Sequence, residues 1–229
     1  MNDDLTNFTG AQPPRREPIH GHYVDLEPLD PAVHGDDLFA AVSVADGIEE
    51  RFRYLPQSPQ TERSDFDTWI AEAATSSDPL FFAVVDRSTG RAEGRQALMR
   101  IDTANGVMEI GHILWGPALR QTRAATEALF LCTDLAFASG FRRFEWKCDD
   151  ANAPSKAAAE RFGFTFEGVF RQHVVYKGRN RDTAWFSIID SEWPALRSAY
   201  EQWLDEANFD AAGGQRQSLR ELIAAPRRG

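Results

Sequence analysis

Several kinds of protein are excluded by what these 229 residues lack. There are only two cysteines, Cys132 and Cys148, and they fall inside a helical and a strand-like pattern. That is the placement of buried thiols in a reducing compartment, and it rules out a disulfide framework or a cysteine metal site. The five histidines show no ligand spacing, so no metal is expected. No apolar run is long enough to cross a bilayer. The start of the chain, with Asp3 and Asp4, has no apolar core segment and resembles neither a secretory signal nor a transit peptide. A cytoplasmic location with no membrane partner is expected. Positive charge is also short: the net charge of −10 argues against nucleic-acid binding and mildly favours cationic substrates.

What is present reads as one α/β domain. Residues 1–20, with Pro13, Pro14, Arg15 and Arg16, suggest a poorly ordered arm or one laid over the surface, residues 21–209 the folded unit, and residues 210–229 a polar tail without further fold signal. Val24 and Leu26 alternate with charged residues as in a half-exposed first strand. Asp30-Pro31 opens a helix, and Phe66, Trp69, Ile70 and Ala73 mark the face of a second. The continuous apolar run Phe81–Val85 predicts a central strand covered on both faces. Asn105-Gly106 predicts a hairpin between the strand carrying Ala97, Met99 and Ile101 and the strand that begins at Val107. Ala125, Ala128, Leu129, Cys132, Leu135 and Ala136 form the buried stripe of a long helix ended by Gly140. The strand of Phe144, Trp146 and Cys148 should then lie parallel to the Val107 strand, with this helix as crossover. A short helix from Pro154 to Phe162, strands over 165–176 and 183–189 separated by the charged turn Lys177–Asp182, and a last helix from Glu192 complete the reading.

Val107 to Ala128 is the stretch with the most chemistry. An apolar strand meets a Gly116-Pro117 break, a polar turn from Arg120 to Arg123, and a helix N-terminus. The first helical turn offers unpaired N–H groups and the positive end of the macrodipole, which suits a phosphate, and Arg120 and Arg123 can add charge-assisted contacts.

Downstream, Asn152, Ser155, Ala159 and Gly163-Phe164, followed by Glu167-Gly168, resemble the signature of the GNAT superfamily of acyl-CoA-dependent N-acyltransferases. Ser155 and Ala159 resemble its RimJ/RimL-like branch, as do Glu109-Ile-Gly111 in the strand and Ala125-Thr126-Glu127-Ala128 in the helix. The resemblance covers roughly residues 22–189. It implies an α/β fold with a central mixed, mostly antiparallel twisted sheet of about seven strands flanked by helices, with a parallel pair at the cofactor-binding strand. It also implies acetyl-CoA as co-substrate, an amine acceptor that is a small molecule or a protein N-terminus, direct attack in a ternary complex, and homodimers among relatives.

Carried over residue by residue, the resemblance assigns Leu114, Trp115, Arg120, Gln121, Thr122, Arg123, Ala124, Ala125, Thr126, Asn152 and Ser155 to the cofactor. A bulge at Ile110 to His112 would splay the strand from its parallel neighbour and leave N–H groups near Leu114 for pantetheine and oxyanion. Glu109, a carboxylate in an apolar strand, is the candidate base, or else a cross-sheet partner of Arg100 or Lys147. Two departures stand out. The family's phosphate turn, Arg-Gly-x-Gly-x-Ala, has lost both glycines here to Gln121 and Arg123, and the tyrosine that many members use as thiolate acid is replaced by Ala159, leaving Ser155 as substitute. These losses motivate a second reading, a non-catalytic acyl-CoA-binding module. A nucleotide-binding protein using the same turn is a third.

Overall fold

A computed structural model describes residues 4–44 and 47–225. Strands β1 (Ile19–His20) and β2 (Val24–Pro28) lead to helix α1 (Pro31–Leu38), which runs on as a π turn over Phe39–Ser43. Helices α2 (Ile48–Phe52) and α3 (Arg63–Thr75) precede strands β3 (Leu80–Asp86), β4 (Arg91–Asp102) and β5 (Val107–Trp115). Helix α4 (Arg123–Ala138), strand β6 (Arg143–Asp149) and helix α5 (Ala153–Arg161) follow. Strands β7 (Thr165–Tyr176) and β8 (Arg179–Ile189) and helices α6 (Trp193–Leu204) and α7 (Leu219–Ala224) end the described chain.

The sheet has eight strands in the order β1-β2-β3-β4-β5-β6-β8-β7. Every pairing is antiparallel except β5 with β6, which α4 connects. The expected count of about seven is raised to eight by the two-residue β1, too short to carry a period.

The apolar patterning explains both layers. In β3, Leu80, Phe82 and Val84 belong to the larger core with the α4 stripe, while Phe81 and Ala83 join Phe66 and Ile70 of α3 on the opposite face. The continuous run is therefore that of a strand covered on both sides. On the α4 side, Met108, Phe144 and Phe186 lie against Ala128, Leu129 and Cys132, all fully buried. Burying a side chain the size of Leu129 or Phe144 contributes about 1.5–3 kcal/mol. Leu135 of the predicted stripe is only half-buried.

Helix starts follow their caps. Asp30 accepts from Ala32 N–H at 2.8 Å with Pro31 in the first turn, and Asn152 accepts from Ser155 N–H at 3.1 Å.

The structure differs from the sequence reading at two places, the β7–β8 turn and the C-terminal segment. The β7–β8 turn is only Lys177-Gly178, at φ 45° and 75°, so Arg179–Asp182 belong to β8 rather than to a long loop. A two-residue turn with positive φ at both positions matches strand twist, and charge does not bar residues from an exposed hairpin end. The C-terminal segment, read as having no further fold signal, holds α7, started by a capping box of Ser218 and Glu221 and anchored by fully buried Leu219. Residues 4–18 lie over the surface as an arm: Ala11 N–H donates to Thr103 O at 2.9 Å and Gln12 N–H to Ser139 O at 2.8 Å.

Candidate active site

The central feature is a fork between two parallel strands. β5 and β6 pair from Val107↔Arg143 to Ile110↔Trp146 and no further. On its other edge β5 stays with β4, but Ala97 faces Gly111 and Arg95 faces Leu114, so three steps along β5 match two along β4. The extra residue is a β-bulge, and His112 sits in it at φ 50°. Arg95, itself fully buried, donates from Nη1 to His112 O at 3.1 Å and so braces the bulge from behind. Gly111 beside it leaves room for Met99, whose Sδ lies 2.4 Å from where a Cβ would stand and would have to shift for any larger residue. Past Ile110, the β5 edge facing β6 has no strand partner, and its peptide groups open into a cleft.

That cleft has a volume of about 420 Å³. Its walls include Glu109, His112, Trp115 and Arg120 on the β5 side and Trp146, Asn152 and Ser155 on the β6–α5 side. A second hollow of about 170 Å³, lined by Leu114, Trp115 and Arg120 among others, adjoins it.

The turn between β5 and α4 keeps a left-handed residue at one of its two lost glycine positions, Gln121. Gly116 O accepts from Leu119 N–H at 3.1 Å and Arg120 N–H at 3.2 Å. Gln121 then takes φ 61°, the left-handed region that glycine enters freely. Thr122 caps the helix, donating its hydroxyl to Leu119 O at 2.7 Å and accepting from Ala125 N–H at 3.2 Å. Cap and side chain leave the N–H groups of Arg123 and Ala124 in the unpaired first turn.

The two arginines part company. Arg120 lines the cleft, whereas the Arg123 guanidinium lies between Tyr23 and Phe209, 4.8 and 4.3 Å from their ring centroids, and donates to Tyr23 Oη at 3.3 Å. Arg123 therefore faces an aromatic slot outside the cleft, away from the phosphate contact that its sequence position suggested. Ala124, Ala125 and Thr126 are buried, and Thr126 Oγ1 accepts from Arg161.

Glu109 is 5% exposed, and its Oε2 accepts from Lys147 Nζ at 2.8 Å and Arg100 Nη1 at 3.0 Å. Both cross-sheet partners considered from sequence are thus engaged. Lys147 also holds Glu145 at 2.6 Å. The other oxygen, Oε1, points toward Gly111, 3.8 Å from where a Cβ on that residue would be.

Trp146 Nε1 donates to Ser155 Oγ at 3.0 Å, which fixes the serine at the cleft wall and leaves its own O–H as a donor. Ala159 is fully buried, so no phenol can stand at that position. Cys148, beside Ser155, has its thiol pushed up by burial, and Cys132 is pushed up to about 12 for the same reason. Neither has the thiolate character of a nucleophile.

Burial pushes the His112 imidazole down to about 4, with the charges of Arg95 and Arg100 adding to it. The ring is neutral in the folded state while the unfolded chain still binds a proton below the ordinary value near 6.5. Stability therefore rises with pH through this window and falls as pH drops from about 6.5 to about 4, by up to about 3 kcal/mol. Melting temperatures measured across that range should show a steeper acid limb in the parent than in His112→Asn, a substitution that tolerates the left-handed backbone.

Residues that motifs did not mark also reach the site. Tyr54, just past α2, lines the cleft and donates from Oη to Ala151 O at 3.2 Å, linking the two sides. His173 and Arg181 of the β7–β8 hairpin line the same cleft. Strand alternation placed Arg181 and Thr183 on one face, but reading 177–182 as a loop hid it.

A mixed sheet forked at a bulge, with a helix N-terminus at the mouth of the fork, is the geometry that the resemblance to GNAT acyltransferases implies. Residues 24–165 match the acetyltransferase (GNAT) domain family, and the chain belongs to it. A GCN5-related N-acetyltransferase from Brucella melitensis is 55% identical, covers 96% of this chain with 100% of its own, and superposes with a TM-score of 0.94. A GNAT-family structure from Chromobacterium violaceum ATCC 12472 is 42% identical over 85% of this chain and 97% of its own, at a TM-score of 0.77. The uncharacterized N-acetyltransferase p20 of Bacillus licheniformis is 28% identical over 149 residues, 62% of this chain and 81% of the relative. Among the described residues no helix is long and apolar enough to cross a membrane, and no cluster of three His, Cys, Asp or Glu could hold a metal.

Proposed function

We propose that residues 21–209 form an N-acetyltransferase that moves an acetyl group from acetyl-CoA to a primary amine by direct attack in a ternary complex. The observation that carries this is the fork at His112, which opens a cleft against unpaired β5 peptide groups. The turn at Gln121 and Thr122, the first N–H groups of α4 and the Arg120 side chain would receive the pyrophosphate. N–H groups near Leu114 and Trp115 would hold the pantetheine amide and the thioester oxygen, and Asn152 and Ser155 the opposite side of the arm.

The amine nitrogen attacks the thioester carbon, the carbonyl oxygen becomes an oxyanion held by β5 N–H groups, and the C–S bond then breaks. The amine proton leaves through water to Glu109 Oε1, the oxygen not bound by Arg100 or Lys147. Ser155 relays a proton to the departing thiolate. Reactions of this form need no acyl-enzyme, which agrees with two protonated, buried cysteines.

The double cationic hold on Glu109 favours one rival, an acyl-CoA-binding module without turnover. Acetyl-CoA titration followed by release of free thiol on adding amines separates the two. Binding without release for any amine supports the module.

A further inference from the structure

Resting on that reading, the arrangement of charges in the cleft bears on the acceptor. Two cations at the floor are already committed: Arg100 and Lys147 both bind Glu109. Arg181 differs. It lines the cleft from β8, its Nε is buried without a hydrogen-bond partner, and among the described residues it joins no ion pair. Its guanidinium lies 5.7 Å from the centroid of Tyr176, whose Oη donates to Leu55 O. That bond ties the hairpin to the segment after α2. Arg181 therefore stands at the cleft wall where these two elements meet, and the adjoining hollow that Arg120 lines is not lined by Arg181.

Arg181 is only partly buried, but its Nε–H is enclosed without an acceptor, and an oxygen ligand at the cleft would relieve that cost. On the proposed reading the cofactor phosphates are received by Arg120 and the first turn of α4, leaving Arg181 to another ligand. We infer that Arg181 binds an anionic group on the acceptor, so that the substrate is an amine that also carries a carboxylate or a phosphate. Such a molecule lies with its amine toward Glu109 and its anion toward the guanidinium. The acidic net charge of the chain points instead to cationic acceptors, but the site has its own local balance, and a zwitterion satisfies both ends.

Steady-state thiol release with acetyl-CoA and two matched pairs tests this: L-serine against L-serinamide, and phosphoethanolamine against ethanolamine. The anionic member of at least one pair should turn over with the lower KM. Arg181→Gln should raise that KM by roughly ten- to a hundredfold, as loss of a charge-assisted hydrogen bond predicts, with far less effect on kcat and on the neutral partner. Arg181→Lys should keep part of the preference. The inference is overturned if neither anionic amine is acetylated, if neutral amines are preferred, or if the variant raises the KM of acetyl-CoA instead. Failure of the parent to bind acetyl-CoA by calorimetry would overturn the acyltransferase proposal itself, so the two failures are distinct.

Discussion

Glu109→Gln is expected to lower kcat by about 10²–10⁴-fold, the usual worth of a positioned general base, with acetyl-CoA affinity unchanged. Glutamine keeps the shape and still accepts from Arg100, and Lys147 keeps Glu145 at 2.6 Å, so the floor of the cleft should stay assembled. Matching melting curves would check that. A second signature separates a base from a structural carboxylate. As pH approaches the amine's own pKa, free amine forms without help, so the variant should recover rate while the parent gains little. A variant that turns over like the parent at every pH would remove Glu109 from the reaction.

Glu127→Ala is expected to cost about 3–5 kcal/mol of stability, because it strips an acceptor from three backbone donors at once. The Glu127 carboxylate, 5% exposed on α4, accepts from His22 N–H at 2.8 Å, Tyr23 N–H at 2.6 Å and Val24 N–H at 2.9 Å. It bolts the β1–β2 turn to the helix whose N-terminus faces the cofactor. Gly21 belongs to the same device, since a Cβ there would meet Glu127 Oε2 at 2.6 Å. At about 2–4 °C per kcal/mol for a chain of this size, the melting temperature should fall by about 6–20 °C. A fall of only one or two degrees by calorimetry would show that water replaces the carboxylate readily. The sequence reading took Glu127 only as part of a helix-start pattern.

Long periods and marked turns were legible from sequence. The α4 stripe, the doubly covered β3, the Asn105-Gly106 hairpin and the parallel β5–β6 pair follow from spacings of two and about three and a half residues, and all are present. The bulge was legible only through the family resemblance, since nothing local to Gly111-His112 forces it; what holds it is Arg95, sixteen residues upstream of Gly111 and buried across the sheet. The same limit explains Arg123. Its helix position is read from Thr122 and the Ala-rich stripe, but the aromatic slot is made by Tyr23 and Phe209, far away in the chain. Short elements fared worst. α2, with five residues, and α7, with six, are fixed by docking rather than by a repeat, so the contact of Tyr54 with Ala151 could not be read.

The account stands most directly on one titration. Acetyl-CoA added to the full chain in a calorimeter should bind at micromolar strength, about −8 kcal/mol, and Arg120→Ala should weaken it about tenfold or more, whereas Arg123→Ala should change it little. Absence of binding by the parent, or a loss confined to Arg123→Ala, would contradict the site as placed here, in the fork between β5 and β6.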